Sequence, residues 1–340
     1  MAGACHPASP ECAVVLFRVT VRDRWRMKHF VSVFRDLRRL FVGMLLAVAG
    51  CRVASDAAAV PMTVYAAGSL ARPLRDALDS IAATGGPTVR LEVMGSREIL
   101  RAITGLGKTP DLIVSADADE LERTLIPRFI GASTTFARNR VVLALSSRSS
   151  AVATITPSNW ADVLAGGTLT VARADPARAP LGYRTQIVWH LAEAQLQRPG
   201  LARRLSAVSP DAMMRGNESD LAALLESGSA DAAWCYESLA RALHIHYVTL
   251  GEHIDLGSDA DSLLYSRVSV RIAGDRPGDS VMVAGKPIRY AMAVVTNGPD
   301  AIRATLLRDR LLDAASVRIM RRAGLDVLDT PWTTPRPQAQ

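Results

Sequence analysis

Between residues 62 and 323, short apolar runs alternate with helical patterns, and nothing else in the chain constrains its fold as strongly. Met62–Ala67 reads as a strand and Leu70–Ala82 as a helix. Thr88–Val93 with Glu98–Thr104, and Asp111–Val114 with Ala118–Leu125, repeat that pair. Arg140–Leu145, Thr168–Ala172, Ala230–Cys235, Tyr247–Leu250 and Tyr290–Val295 are further strands. Trp160–Leu164, Tyr183–Gln197, Ser219–Glu226, Ala301–Ala314 and Ser316–Ala323 are further helices. Strands separated by helices of this length imply parallel βαβ units and an α/β fold. Val268–Ile272 and Val281–Val283, around Asp275-Arg276-Pro277-Gly278, read as a hairpin. Residues 334–340, with Thr333 before them, form a Pro- and Gln-containing tail expected to be loose.

The formal charge of +7 suggests a polyanion partner until it is located. Residues 1–51 hold eight Lys/Arg against Glu11, Asp23 and Asp36. The other 289 residues carry 32 basic and 30 acidic groups. Such a body has no global field for nucleic acid. Its 49% hydrophobic and 21% charged content is that of a globular protein rather than a disordered one.

Residues 40–50 form an apolar run preceded by Arg35, Arg38 and Arg39. A basic segment followed by a run too short to span a bilayer reads as an export signal. The run ends in Val48-Ala49-Gly50-Cys51, which resembles the bacterial lipobox. Residues 1–51 are therefore expected to be a leader. Lipid on Cys51 would hold the mature protein at a membrane surface, in the periplasm or on the cell surface. Of Cys5, Cys12, Cys51 and Cys235, only Cys235 remains free in the body, so neither an intrachain disulfide nor a structural zinc site is expected.

Three strand-to-helix turns share a grammar: Ala67-Gly68-Ser69, Met94-Gly95-Ser96 and Pro180-Leu181-Gly182-Tyr183. Open α/β sheets bind ligands at the carboxyl ends of their strands. A helix N-terminus there offers free N–H groups and partial positive charge, and a serine adds a hydroxyl donor. Two Gly-Ser turns and one Gly-Tyr turn thus suggest donors converging on a small oxyanion. Simple helix capping accounts for either serine alone.

The stretches VYAAGSLARPLRDAL (64–78), EVMGSREILRAI (92–103) and PDLIVSADADEL (110–121) resemble the N-terminal lobe of periplasmic molybdate/tungstate-binding proteins, the solute receptors of ABC importers. FARNRVVLAL, SNWADVLA, DPARAPLGYRTQIVWHLAEA, LLESGSADAAWCYESLA and GKPIRYAMAVV continue the match in order, over about residues 60–330. The archaeal-type receptors are the nearest in flavour. The resemblance implies a type II periplasmic binding protein fold, with two α/β lobes, two crossover strands and a ligand cleft between the lobes. Arg140–Leu145 and Tyr290–Val295 would be the crossovers. Residues 60–141 with 289–333 would form lobe one, and 142–288 lobe two. The expected function is capture of tungstate or molybdate by a monomer that needs no cofactor and hands its ligand to a transporter permease.

By the same resemblance, Ser69 and Ser96 donate from lobe one, and the Leu181 backbone N–H and Tyr236 phenol from lobe two. Glu218 matches a carboxylate that ligates the metal centre directly. Here it would ligate, hydrogen-bond while protonated, or sit aside. Ala179 stands where those receptors carry a second carboxylate, which argues against six-coordinate metal. Asp175 is off that position. Arg138, Arg140 and Arg184 read as surface or ion-pair residues, Trp160 and Trp234 as core, and His244 and His246 as structural or exposed. Two competing functions are a receptor for another oxyanion such as sulfate, and a hydrolase or transferase using Ser69 or Ser96 as nucleophile. Against the second, neither serine lies in GxSxG.

Overall fold

The first strand, β1 (Met62–Ala67), organises half of the computed structural model, which describes residues 60–274 and 278–334. It lies between β2 (Val89–Met94) and β3 (Leu112–Ser115), parallel to both. Period-two alternation divides its side chains between two cores, Val64 and Ala66 on one face and Tyr65 on the other. Leu112 and Val114 part from Ile113 in the same way. One face is covered by α1 (Ala71–Ala83), through Leu74, Leu78 and Ile81. The other is covered by α2 (Ser96–Thr104) and α3 (Ala118–Leu125), through Ile99, Ile103 and Leu121.

Beyond β3, the sheet is extended by β12 (Ile288–Val294), β4 (Ser133–Asn139) and β13 (Asp326–Thr334), all antiparallel to their neighbours. The order is β13-β4-β12-β3-β1-β2. Parallel pairing thus holds for β1–β3 but not for the strands adjoining the crossings, where the chain returns. Thr333 and Thr334, expected to be loose, instead end β13 and pair with Thr134 and Ser133. Thr334 Oγ1 also donates to Glu122 Oε1 at 2.9 Å. Pro331 is tolerated because β13 is an edge strand, interrupted between Val327 and Trp332.

A second sheet carries β7 (Met214–Arg215), β6 (Val171–Ala174), β8 (Ala232–Tyr236), β5 (Val141–Leu145) and β9 (His246–Thr249), in that order. Around it stand α4 (Trp160–Ala165), α5 (Pro180–Gln195), α6 (Leu201–Ala207), α7 (Glu218–Ser227) and α8 (Glu237–Ala242). Trp160 and Trp189 meet Trp234 edge-on at 5.8 and 6.1 Å, so the tryptophans are core. A short helix, α9 (Ser262–Tyr265), precedes the expected hairpin, β10 (Ser269–Ala273) with β11 (Ser280–Ala284). Between β12 and β13 lie α10 (Ala301–Leu311) and α11 (Ala314–Arg322), the latter packed on α1.

The chain leaves the first sheet at Asn139-Arg140-Val141 and returns just before Ile288, which pairs with Asn139. Val141 N–H donates to Asp255 O at 2.8 Å and Ile288 N–H to Leu256 O at 2.9 Å, so both crossings are held by one loop. Val141–Leu145 lies wholly in the second sheet and Tyr290–Val294 wholly in the first. Neither strand is itself the crossover the sequence suggested. The crossings are a few residues long and immediately precede them.

Candidate ligand-binding site

The carboxyl ends of β1, β2, β6, β7 and β8 all lead into helix N-termini or the turns before them. Ser69, Ser96, Leu181, Glu218 and Tyr236 all stand on these segments, and all five are buried. The structure joins three of them, Ser69, Tyr236 and Ser96, through a chain of contacts. Ser69 Oγ lies 2.9 Å from Tyr290 OH, and the Tyr290 and Tyr236 rings meet edge-on at 5.9 Å. Arg184 Nη1 donates to Tyr236 OH at 2.6 Å and to Ala116 O at 2.7 Å. Ala116 N–H in turn donates to Ser96 Oγ at 3.0 Å. Leu181 reaches the same cluster through its helix. It sits in the first turn of α5, where N–H groups have no intrahelical acceptor, three residues before Arg184.

These bonds decide what each hydroxyl offers. A hydroxyl carries one hydrogen and two acceptor lone pairs. Ser96 Oγ already accepts from a backbone N–H and Tyr236 OH from a guanidinium, both obligate donors. Neither hydroxyl donates its own hydrogen to a described group. Burial pushes the Tyr236 phenol well above its ordinary value, outweighing the opposing effect of Arg184, so that hydrogen stays on. The helices α2, α5 and α7 add partial positive charge at their N-termini.

Glu218 opens α7, and a carboxylate is favoured at such a position. It is nevertheless 1% exposed, and neither carboxyl oxygen has a hydrogen-bond partner. Burial raises its pKa to about 7, against the weaker opposing influence of its own N–H, Arg184 and the Ser69 N–H. A buried carboxyl without partners is costly, and such groups gather at functional sites. Cys235, also buried, is pushed up to about 12, mainly by desolvation, and is an inert thiol.

The two Gly-Ser turns have a reason the sequence did not reveal. Neither glycine adopts a left-handed φ. A Cβ on Gly68 would fall 2.5 Å from Glu218 Oε2, and one on Gly95 would fall 2.2 Å from Arg178 O. The second lobe lies against the first at these points, and only glycine leaves room. Two arginines tie the lobes together nearby. Arg178 Nε donates to Glu98 Oε1 at 2.5 Å. Arg97 reaches Pro176 O at 3.1 Å and Ala273 O at 3.1–3.2 Å.

Ala179 is the buried N-cap of α5 and brings no carboxylate. Asp175 accepts from Ala177 N–H at 2.8 Å within its own turn. Among the described residues, no three His, Cys, Asp or Glu form a metal-holding group. Arg138 and Arg140 form the expected ion pairs, with Asp326 at 2.8 Å and Glu237 at 3.2 Å. Arg184 also forms an ion pair, with Asp117 at 3.2 Å, but inside the cluster. Asp117 additionally accepts from Tyr183 OH and caps α3 through Glu120 N–H at 2.9 Å. The sequence reading missed Asn139, Tyr290 and Asp117. It named Arg184 without giving it the site. Its place three residues after Leu181 on one helix was the available signal.

A family model described as bacterial extracellular solute-binding protein matches residues 62–326. The chain belongs to that family. Among solute-binding relatives, a putative ABC transporter molybdenum-binding protein of Haloferax volcanii is 31% identical, over 76% of this chain and 82% of that protein. The molybdate/tungstate-binding protein WtpA of Pyrococcus abyssi is 26% identical, over 72% and 76%. The solved periplasmic molybdate-binding protein of Azotobacter vinelandii superposes with a TM-score of 0.56 at 18% identity, covering 79% of this chain and all of that one. The solute-binding fold is thus that of a periplasmic binding protein. Among the described residues, no helix is long and apolar enough to cross a membrane.

Proposed function

We propose that this solute-binding protein captures a tetrahedral oxyanion, molybdate or tungstate, between its lobes and delivers it to an ABC importer. The observation that carries the reading is the convergence of Ser96 and Tyr236, each with its hydrogen left free, on a buried site lined by helix N-termini. Ser69 and the Leu181 N–H complete the donor set, and Glu218 faces the ligand as its one candidate protein ligand to the metal. Such donors suit an oxyanion that carries no proton and asks only to accept. The names of the relatives support molybdate or tungstate as the ligand class. Sulfate has the same needs and differs chiefly in size. The serine-nucleophile alternative is disfavoured because Ser69 and Ser96 pair with a tyrosine and a backbone amide rather than with a base. The receptor acts as a monomer and without a cofactor.

Calorimetry of the purified protein with tungstate, molybdate, sulfate and phosphate tests this, with the first two expected to bind tightly. Silence with all four would refute the proposal. Hydrogen bonds to charged oxygens contribute roughly 1.5–3 kcal/mol each, so Ser96→Ala and Tyr236→Phe should each weaken binding about 10- to 100-fold. Both variants should keep the preference over sulfate, which rests on cavity size.

Binding should close the lobes, since donors from both must meet one anion. Small-angle scattering should show compaction of the wild type with tungstate. Gly95→Ala, whose new methyl would meet Arg178 O, should stay expanded at the same ligand concentration. Equal compaction in the variant would count against this contact.

Export and lipidation at Cys51, which lies outside the described residues, are part of the same proposal. The basic segment, apolar run and Val-Ala-Gly-Cys51 sequence support them. The mature protein should partition into detergent and incorporate labelled palmitate, and Cys51→Ala should lose the label. An unlabelled wild-type protein would rule lipidation out.

A further inference from the structure

Asn139 ends β4, where the chain leaves the first sheet, and its side chain is buried. Its Oδ1 accepts from the backbone N–H groups of Arg140 at 2.9 Å and Ser238 at 3.3 Å. Backbone N–H groups can only donate, so the orientation of the amide is determined. Nδ2 must then supply its two hydrogens to the hydroxyls it faces, Ser238 Oγ at 2.7 Å and Tyr290 OH at 2.7 Å. Ser238 belongs to α8, so both lobes hold the amide. Tyr290 OH accepts from Asn139 and, among its described contacts, has only Ser69 Oγ, at 2.9 Å, as a place for its own hydrogen. Ser69, having accepted from Tyr290, keeps its own hydrogen for whatever occupies the site.

We propose that Asn139 and Tyr290 are positioning residues that turn the Ser69 hydroxyl into a one-way donor, so that this corner of the cleft favours oxyanions without a proton over those that carry one. The direction runs from amide to phenol to serine to ligand, and its source is the pair of backbone N–H groups behind Asn139. An oxyanion with an O–H would need an acceptor here, and Ser69 already gives one of its two lone pairs to Tyr290. The inference rests on the oxyanion reading above and concerns residues that do not touch the ligand themselves.

The test uses the purified protein at a single pH of 6, where phosphate carries protons and sulfate does not. Tungstate affinity is measured directly, and sulfate and phosphate are measured by competition. Tyr290→Phe should weaken tungstate and sulfate about tenfold while weakening phosphate less, so the sulfate-to-phosphate affinity ratio falls. In a Ser69→Ala background the same substitution should change tungstate affinity less than twofold, because the relay then has no end. Asn139→Asp should lower the ratio further. A carboxylate there takes the hydrogen of Tyr290, whose oxygen then draws in the hydrogen of Ser69. Should that variant fail to fold, Tyr290→Phe carries the test, since it removes a single oxygen. A Tyr290→Phe protein with an unchanged ratio, or with an equal effect in both backgrounds, would overturn the inference and leave only a packing role. A wild type that binds none of the anions would instead sink the oxyanion reading itself.

Discussion

Arg184→Met should abolish measurable oxyanion binding and destabilise the protein by about 3–5 kcal/mol, the cost of stranding one member of a buried ion pair. Arg184 is 5% exposed, and its guanidinium joins three parts of the site. It pairs with Asp117, donates to Ala116 O, and donates to the Tyr236 phenol. Without it, Asp117 keeps only Tyr183 OH and its capping bond, and Tyr236 loses the donor that directs its hydrogen. Ala116 and Asp117 follow β3 and Arg184 belongs to α5, so the contact also links the lobes. Chemical denaturation and calorimetry read the two effects separately. Replacing Asp117 as well, by leucine, should recover much of the stability, because two apolar groups substitute well for a buried pair. About 1 kcal/mol should stay lost with the α3 cap, and binding should not return. Wild-type stability in Arg184→Met would contradict the buried pairing.

Glu218→Gln should stabilise the unliganded protein by roughly 3 kcal/mol at pH 8 and by nothing at pH 4. The folded protein holds the Glu218 proton up to about pH 7, against an ordinary value of 4.5. Between those limits the folded state binds more protons than the unfolded one. Stability therefore falls as pH rises across the window, by up to about 1.4 kcal/mol per unit, and is level on either side. Glutamine has no such slope. Denaturant titrations of both proteins from pH 4 to 8 measure the difference, and parallel curves would show that Glu218 is not buried unpaired. The same variant tests the ligand role of the carboxyl. X-ray absorption on bound tungsten should show four or five oxygen neighbours, because Ala179 supplies no second carboxylate. A six-coordinate spectrum with two protein oxygens would refute that reading of Ala179. Affinity and spectrum unaltered by glutamine would take Glu218 out of the site.

The two-lobed α/β plan was legible in the chain because its local signals agree. Met62–Ala67 and Ala118–Leu125 were readable to the residue, since apolar periodicity and turn chemistry change together at their ends. The polar run Ser133–Asn139 was not. It becomes β4 only because β12 and β13 take up its backbone on both sides, and no local pattern announces a strand whose partners lie some 150 and 190 residues away. The short helix α6 was likewise missed.

The candidate site divides in the same way. Ser69, Ser96, Leu181, Glu218 and Tyr236 could be named from turns at strand ends and from family likeness, because the types of donor an anion needs are written in the residues themselves. Tertiary structure alone decided which way those donors face. Arg138, Arg140 and Arg184 look alike in the sequence, yet two pair near the surface and one is sealed against Tyr236. Gly68 and Gly95 read as turn residues, yet each is required by the opposite lobe lying within van der Waals range. A residue's chemistry is local and travels with its letter. Its burial and the direction of its hydrogen bonds depend on what distant segments bring to it, and those are the quantities that make a group an anion donor rather than a cap.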